Sequence, residues 1–253
     1  MSPLKQRMLE DMQLRNFSAG TQRSYIHYVI GYATYFDLSP TRLGLDDIRN
    51  YQLHLIDQRQ LSPSSINCFL SAVQFLYTVT LEMPWSKQQF GRMKVPEKLP
   101  VVLSEEEVLT FFRHIGILKH RAVLMLCYGS GLRIAEAVSL KAENIDSSRM
   151  LIHVQHGKGA KDRYTVLSHR TLTLMRAYWK MQRPVDWLFP GTKVGTHLQP
   201  ATIQELCRDA CQLAGITKRI TPHVLRHYAA TRTMPRVDVP ASVHRRLNCF
   251  HAA

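Results

Sequence analysis

The chain has 253 residues, 45% of them hydrophobic, and its 33 Lys/Arg against 19 Asp/Glu give a formal net charge of +14. That is enough apolar chain to bury one large core or two. No apolar run reaches the roughly 18 residues of a membrane span, and the opening MSPLKQRMLEDMQ has no secretory h-region, so no membrane partner is expected.

The five cysteines, at 68, 127, 207, 211 and 249, are scattered and never spaced CxxC. They suggest reduced thiols in a cytoplasmic compartment. Cys207 and Cys211, four apart on an expected helix with no histidine nearby in sequence, fit a buried face better than a metal site. No cofactor is expected. The charge is unevenly placed. Residues 1–85 hold 7 Lys/Arg and 7 Asp/Glu, residues 86–103 hold 4 and 1, and residues 104–253 hold 22 and 11. Such a surplus usually faces a polyanion, because each neutralised phosphate releases counterions. Nucleic acid is the expected partner.

In chain order, 4–15 places Leu4, Met8, Leu9 and Met12 on one helical stripe. Ser18 caps a second helix running to 36, whose Tyr25, Tyr28, Tyr32 and Tyr35 follow helical spacing as core and rim residues. A third helix fits 45–60, with Asp46 and Asp47 at its positive end, and Ser62-Pro63 opens a fourth. No alternating run appears, so 1–83 reads as an all-helical domain. The stretch PWSKQQFGRMKVPEKLP (84–100) breaks the periodicity with three prolines and carries Lys87, Arg92, Lys94 and Lys98. It reads as an extended basic linker, with 84–103 joining the helical domain to a second domain over 104–253.

Ser104 followed by Glu105, Glu106 and Glu107 is a capping box with an acidic first turn. Helices are predicted over 105–115, 119–128 and, after a GSG turn (129–131), 133–141. The period then changes: MLIHVQ (150–155) and RYTVL (163–167) form a hairpin around the glycine-rich HGKGAKD. Helices resume at 169–182, at 201–214 and from Thr221. The fold class is mainly α in two domains, the second an α+β domain with a small antiparallel sheet.

Three cationic clusters could carry chemistry. In GSGLRIAEAVSL (129–140), Arg133 sits in the first turn of a helix, with Glu136 on the same face to hold its fork. The alternative is an ordinary surface Arg–Glu pair. In HGKGAKDR (156–163), Lys158 stands between two glycines with Lys161 and Arg163 behind it; its ammonium either delivers a proton in a groove or is simply solvated. In TPHVLRH (221–227), Thr221 caps and Pro222 opens a helix, so His223 and Arg226 share a face near its positive end. That pairs a group titrating near neutrality with a bidentate phosphate ligand, or marks a buried structural histidine.

Together and in this order the clusters resemble the tyrosine recombinase (phage integrase) family, and KLPVVLSEEEV looks like the start of that family's catalytic domain. The resemblance implies a SAM-like core-binding domain at the N-terminus and a DNA-cleaving domain after it. It makes Arg133 and Arg226 the phosphate-binding arginines, Lys158 the hairpin lysine that protonates the leaving 5′ oxygen, and His223 the base or relay. It also implies duplex DNA with inverted half-sites as partner, self-association on DNA, a nucleoid-associated location, and DNA contacts from Lys87, Arg92, Lys94, Lys98, Lys161 and Arg163. The family's nucleophile is a tyrosine that forms a 3′-phosphotyrosyl link, retaining bond energy for strand exchange.

After the HxxR helix the family expects a hydrophobic helix, a second histidine and then that tyrosine. Here the text becomes RTMPRVDVPASVHRRLNCFHAA, with Pro235 and Pro240 interrupting the helix, His251 as a displaced counterpart of the second histidine, and no tyrosine after Tyr228. Tyr228, early in the HxxR helix where the family has small residues, is no substitute. The expectation is a truncated or frame-shifted member without the covalent step. The alternatives are a non-catalytic DNA-binding remnant or accessory protein and an unrelated basic RNA-binding helical protein.

Overall fold

The computed structural model describes residues 2–83, 85, 89–97, 101–155 and 162–231, the last three as backbone only. The chain divides into two compact units, Met1–Lys98 and Leu99–Ala253.

The first unit is helical throughout, as the lack of period-2 runs requires. It comprises α1 (Pro3–Leu14), α2 (Ala19–Phe36), α3 (Leu45–Asp57) and α4 (Pro63–Phe75), the last continuing into one π-helical turn, Leu76–Thr80. Each start is written locally. The hydroxyls of Ser18 and Ser62 accept from the backbone N–H of Thr21 and Ser65, and Asp47 accepts from the N–H of Gly44 at 2.8 Å. Met8, Met12, Tyr32, Phe69 and Tyr77 are fully buried. A buried phenol needs a partner, and the Tyr77 hydroxyl donates to the carbonyls of Pro40 (2.8 Å) and Leu43 (3.2 Å), fixing the 3-10 turn between α2 and α3.

Part of the stretch that reads as a linker lies on this unit. Phe90 is buried among its core residues, and the Asn67 carboxamide takes both backbone groups of Met93, accepting from its N–H at 2.8 Å and donating to its carbonyl at 2.9 Å. Arg92 donates to Ser71 at 3.1 Å and Lys94 is exposed, whereas Lys87 and Lys98 lie outside the described residues. Prolines end helical periodicity here, but two aromatic rings, Trp85 and Phe90, have apolar area to bury and so lie on the bundle.

In the second unit, Ser104 and Glu107 form the capping box that opens α5 (Glu105–Arg113). α6 (Leu118–Ser130) is buried from Arg121 to Tyr128, and α8 (His169–Gln182) and α10 (Pro222–Thr231) pack against it. α9 (Pro200–Leu213) buries Cys207 and Cys211 in the same core. The sheet has three strands where two are predicted. β1 (Ile145–Asp146) pairs antiparallel with β2 (Leu151–Val154), and β2 pairs with β3 (Arg163–Val166), placing Ile152 opposite Thr165. β1 is too short to carry a period, and it exists because the Asp146 carboxylate accepts the N–H groups of Ser148 and Arg149 and so turns the chain.

The glycine-rich turn also differs from expectation. Gly129 and Ser130 complete α6, and only Gly131 leaves the helix, at φ +64°, a conformation that favours glycine. α7 (Ile134–Val138) is shorter than the 133–141 predicted, and Arg133 stands before its first turn as the extended capping residue. Among the described residues no helix is long and apolar enough to cross a membrane.

The anchoring of Met93 is testable. Asn67→Ala removes two partly buried hydrogen bonds and is expected to lower stability by about 1–2 kcal/mol. It should also speed tryptic cleavage after Arg92 and Lys94, because local opening becomes easier. Unchanged digestion rates would contradict the anchor.

Candidate functional site

Three guanidinium groups from three separate elements converge on one carboxylate. Glu136, its side chain 8% exposed, points from α7 back toward its own helix start. There it accepts the backbone N–H of Arg133 and one Arg133 guanidinium nitrogen, both at 2.8 Å. From β3, Arg163 delivers both terminal nitrogens to the two carboxylate oxygens, at 2.9 and 2.7 Å, a fork-to-fork pair. From α10, Arg226 Nη1 lies 3.6 Å from Glu136 Oε2.

The local sequence places each side chain. Gly131 ends α6 and turns the chain, so Arg133 caps the N-terminal end of α7. Arg163 and Thr165 alternate with the exposed Tyr164 and Val166 along β3, which puts them on the inner face. Thr165 Oγ1 donates to the carbonyl of Ser130 at 2.7 Å. α10 begins as expected, with the Val224 N–H on the Thr221 hydroxyl, and its fully buried Leu225 orients the helix so that His223 and Arg226 face the cluster.

The electrostatics follow from this crowding. Burial alone would raise the Glu136 carboxyl, but the hydrogen bonds from Arg163 and from the Arg133 backbone and side chain win and hold it down at about 2. Partial desolvation lowers His223, exposed though it is, helped by His227, Arg226 and Arg133, which favours its neutral form. His223 Nε2 and His227 Nε2 are 3.0 Å apart, so one ring donates and the other accepts. Arg226 Nη1 is buried and makes no hydrogen bond among the described residues; it faces the Glu136 carboxylate as an ion pair, while the side chain as a whole stays 26% exposed.

The structure therefore brings together Arg133, His223 and Arg226 from the predicted set. Arg163, expected as a DNA contact, is engaged with Glu136. Lys158, Lys161 and His251 lie outside the described residues. Sequence reasoning missed the Arg163–Glu136 pair and the involvement of His227. The spacing of 223 and 227, four apart on a helix, was a signal for the second. Tyr228 turns away from the cluster: it is 8% exposed, stacks on Tyr128 with ring centroids 6.4 Å apart, and donates its hydroxyl to the carbonyl of Leu103. Among the described residues no group of three metal-ligating side chains occurs.

Comparison with known proteins agrees with this architecture. The phage integrase family model matches residues 102–243, and the model of the phage integrase N-terminal SAM-like domain matches residues 4–87. The chain is 45% identical over 235 residues to a putative integrase/recombinase of Sinorhizobium fredii, covering 92% of this chain and 76% of that protein. It is 28% identical over 254 residues to the tyrosine recombinase XerD of Yersinia pestis, covering 92% and 84%. The fold is similar to that of the Tn1549 transposon integrase solved in complex with transposon right end DNA (TM-score 0.67, 15% identity, 90% and 85% of the two chains). It is also similar to that of the XerH recombinase bound to its difH substrate (TM-score 0.65, 20% identity, 87% and 70%).

The Glu136 charge predicts a pH-dependent stability. A carboxyl lowered on folding from 4.5 to about 2 stabilises the fold fully above its unfolded pKa and loses that contribution as pH falls through the folded one. Glu136→Gln should therefore be less stable than the parent by on the order of 2 kcal/mol at neutral pH. The gap should narrow between pH 4.5 and about 2, which denaturant melts of both proteins across that range would follow. A gap independent of pH would show that the carboxylate charge is not what stabilises the cluster.

Proposed function

The chain belongs to the phage integrase family, and on that premise we propose that it acts on duplex DNA in the manner of a tyrosine-type site-specific recombinase, with Arg133 and Arg226 gripping the phosphate to be broken. The observation that carries this reading is the cation cluster. Three guanidinium groups against a single carboxylate leave a formal surplus of two positive charges, and the side chains of Arg133 and Arg226 remain 40% and 26% exposed. Fixed donors of that kind stabilise the charge that builds on the non-bridging oxygens of a phosphodiester under attack. His223, held neutral, is suited to accept or relay a proton, and Lys158 supplies the acid for the leaving 5′ oxygen. Titratable and permanent cations then divide the work: the arginines bind at any pH and the histidine and lysine move protons.

The tyrosine content of the chain's last part favours a second reading. Residues 229–253 contain no tyrosine, and the hydroxyl of Tyr228 is spent on the Leu103 carbonyl. We infer that these 253 residues bind DNA without linking to it. A serine such as Ser242 is a poorer nucleophile than a tyrosine, whose phenolate attacks and leaves readily. Two copies on inverted half-sites is the arrangement expected of such a binder, with Arg92, Lys94, Lys87, Lys98 and Lys161 adding backbone contacts.

Two measurements test this. Duplex affinity should fall by about 10³–10⁵ between roughly 50 and 200 mM salt if about 6–10 phosphates are neutralised, and Arg226→Ala should reduce both affinity and salt slope without loss of a cooperative melt. An affinity flat in salt would exclude the polyanion partner. In the second, a nicked suicide duplex is incubated with the protein and run on a denaturing gel. No DNA-linked band is expected, and a band that survives denaturation would show that another side chain serves as nucleophile.

A further inference from the structure

We propose that Arg163 is a positioning residue, which keeps Arg133 and Arg226 available for phosphate by saturating Glu136, and is not itself a DNA contact. This rests on the phosphate-gripping role of Arg133 and Arg226. An ionised carboxylate offers about four acceptor sites. At Glu136 four donors take them: the Arg133 N–H, one Arg133 guanidinium nitrogen, and both terminal nitrogens of Arg163. Arg226, with its Nη1 3.6 Å away, is left outside hydrogen-bonding distance, and Arg133 is held by a single guanidinium contact.

The competition is what gives Arg163 its effect. Without its fork, two acceptor sites on a carboxylate 8% exposed would be open, and an anion buried there draws in the cations that remain. Arg226 is close enough to move in, and Arg133 close enough to turn bidentate. Both would then be spent on Glu136 instead of on a ligand. The strand that carries Arg163 is held for this purpose at two successive inward positions. Thr165 Oγ1 is bonded to the carbonyl of Ser130, so β3 cannot slide relative to the end of α6 without breaking the hydroxyl bond and both guanidinium bonds. A lysine cannot replace the fork, because its ammonium is a point donor and cannot span both oxygens.

The experiment is a double-mutant cycle read as affinity for a short mixed-sequence duplex by fluorescence anisotropy, with a melt of each protein as control. Arg163→Ala and Arg163→Lys should each weaken binding about tenfold in the parent. In a Glu136→Gln background, where no carboxylate competes for the arginines, neither change should weaken it further. A purely structural role for Arg163 would show in the melt and not in this background-dependent affinity. If Arg163→Ala costs the same affinity in both backgrounds or none in the parent, or if Arg163→Lys binds as the parent does, the positioning role is overturned while the phosphate grip stands. If Arg226→Ala and Arg133→Ala both leave affinity untouched, the phosphate grip itself falls, and the positioning role with it.

Discussion

The arrangement of the second unit depends on one buried negative charge. Three guanidinium groups within reach of each other repel strongly in a partly desolvated setting, where the effective dielectric is far below that of water. The Glu136 carboxylate makes their convergence possible, and it does so from a position fixed by its own backbone bond to Arg133. It cannot neutralise all three. The remainder is a local positive field whose geometry is set by α7, β3 and α10 together, so a substitution in any of those elements is felt at the others. The same field helps to hold His223 neutral, which ties the protonation state of the histidine to the placement of the arginines.

That coupling explains why the charge asymmetry of the chain has a structural counterpart. Residues 1–85 are formally balanced, and their helices close over tyrosines and phenylalanines. The excess charge lies after residue 85, where it is partly consumed by internal pairs such as Lys218–Glu107 and Arg163–Glu136. Net charge therefore overstates the number of cations free to meet a ligand. The residues that matter are those whose donors are left over once internal acceptors are filled.

Much of this was legible in the sequence where the cause is local. Ser18, Ser62 and Ser104 mark helix starts because a hydroxyl satisfies an orphan N–H within the same turn. Arg133 and Glu136, and His223 and Arg226, were seen as pairs because three residues on a helix bring side chains to one face. What escaped is non-local or too short to carry a period. Arg163 meets Glu136 only because β3 pairs with β2 in one particular register, and nothing within either segment announces it. β1 rests on two residues and an aspartate turn. The Asn67 clasp on Met93 is a side chain standing in for a backbone partner, and prolines, a glycine and four cations made that segment read as an extended linker.

The bond from Tyr228 to the Leu103 carbonyl joins positions 125 apart and ties the last described helix to the start of its unit. A contact of such separation closes a long loop, and the chain entropy it must offset is correspondingly large. The first unit also closes over distance, with α2 packed on α4 and Arg7 paired with Glu82, but its residues precede the second unit in synthesis. The core of the second unit is complete only with α10 packed on α6, and α10 carries both Arg226 and His223. Until that helix docks on α6, Glu136 has Arg133 and Arg163 as partners and no surplus donor beside it. A nascent or partly unfolded chain is thus without its full anion-gripping cluster, and that cluster is completed only when the core that orients it has closed.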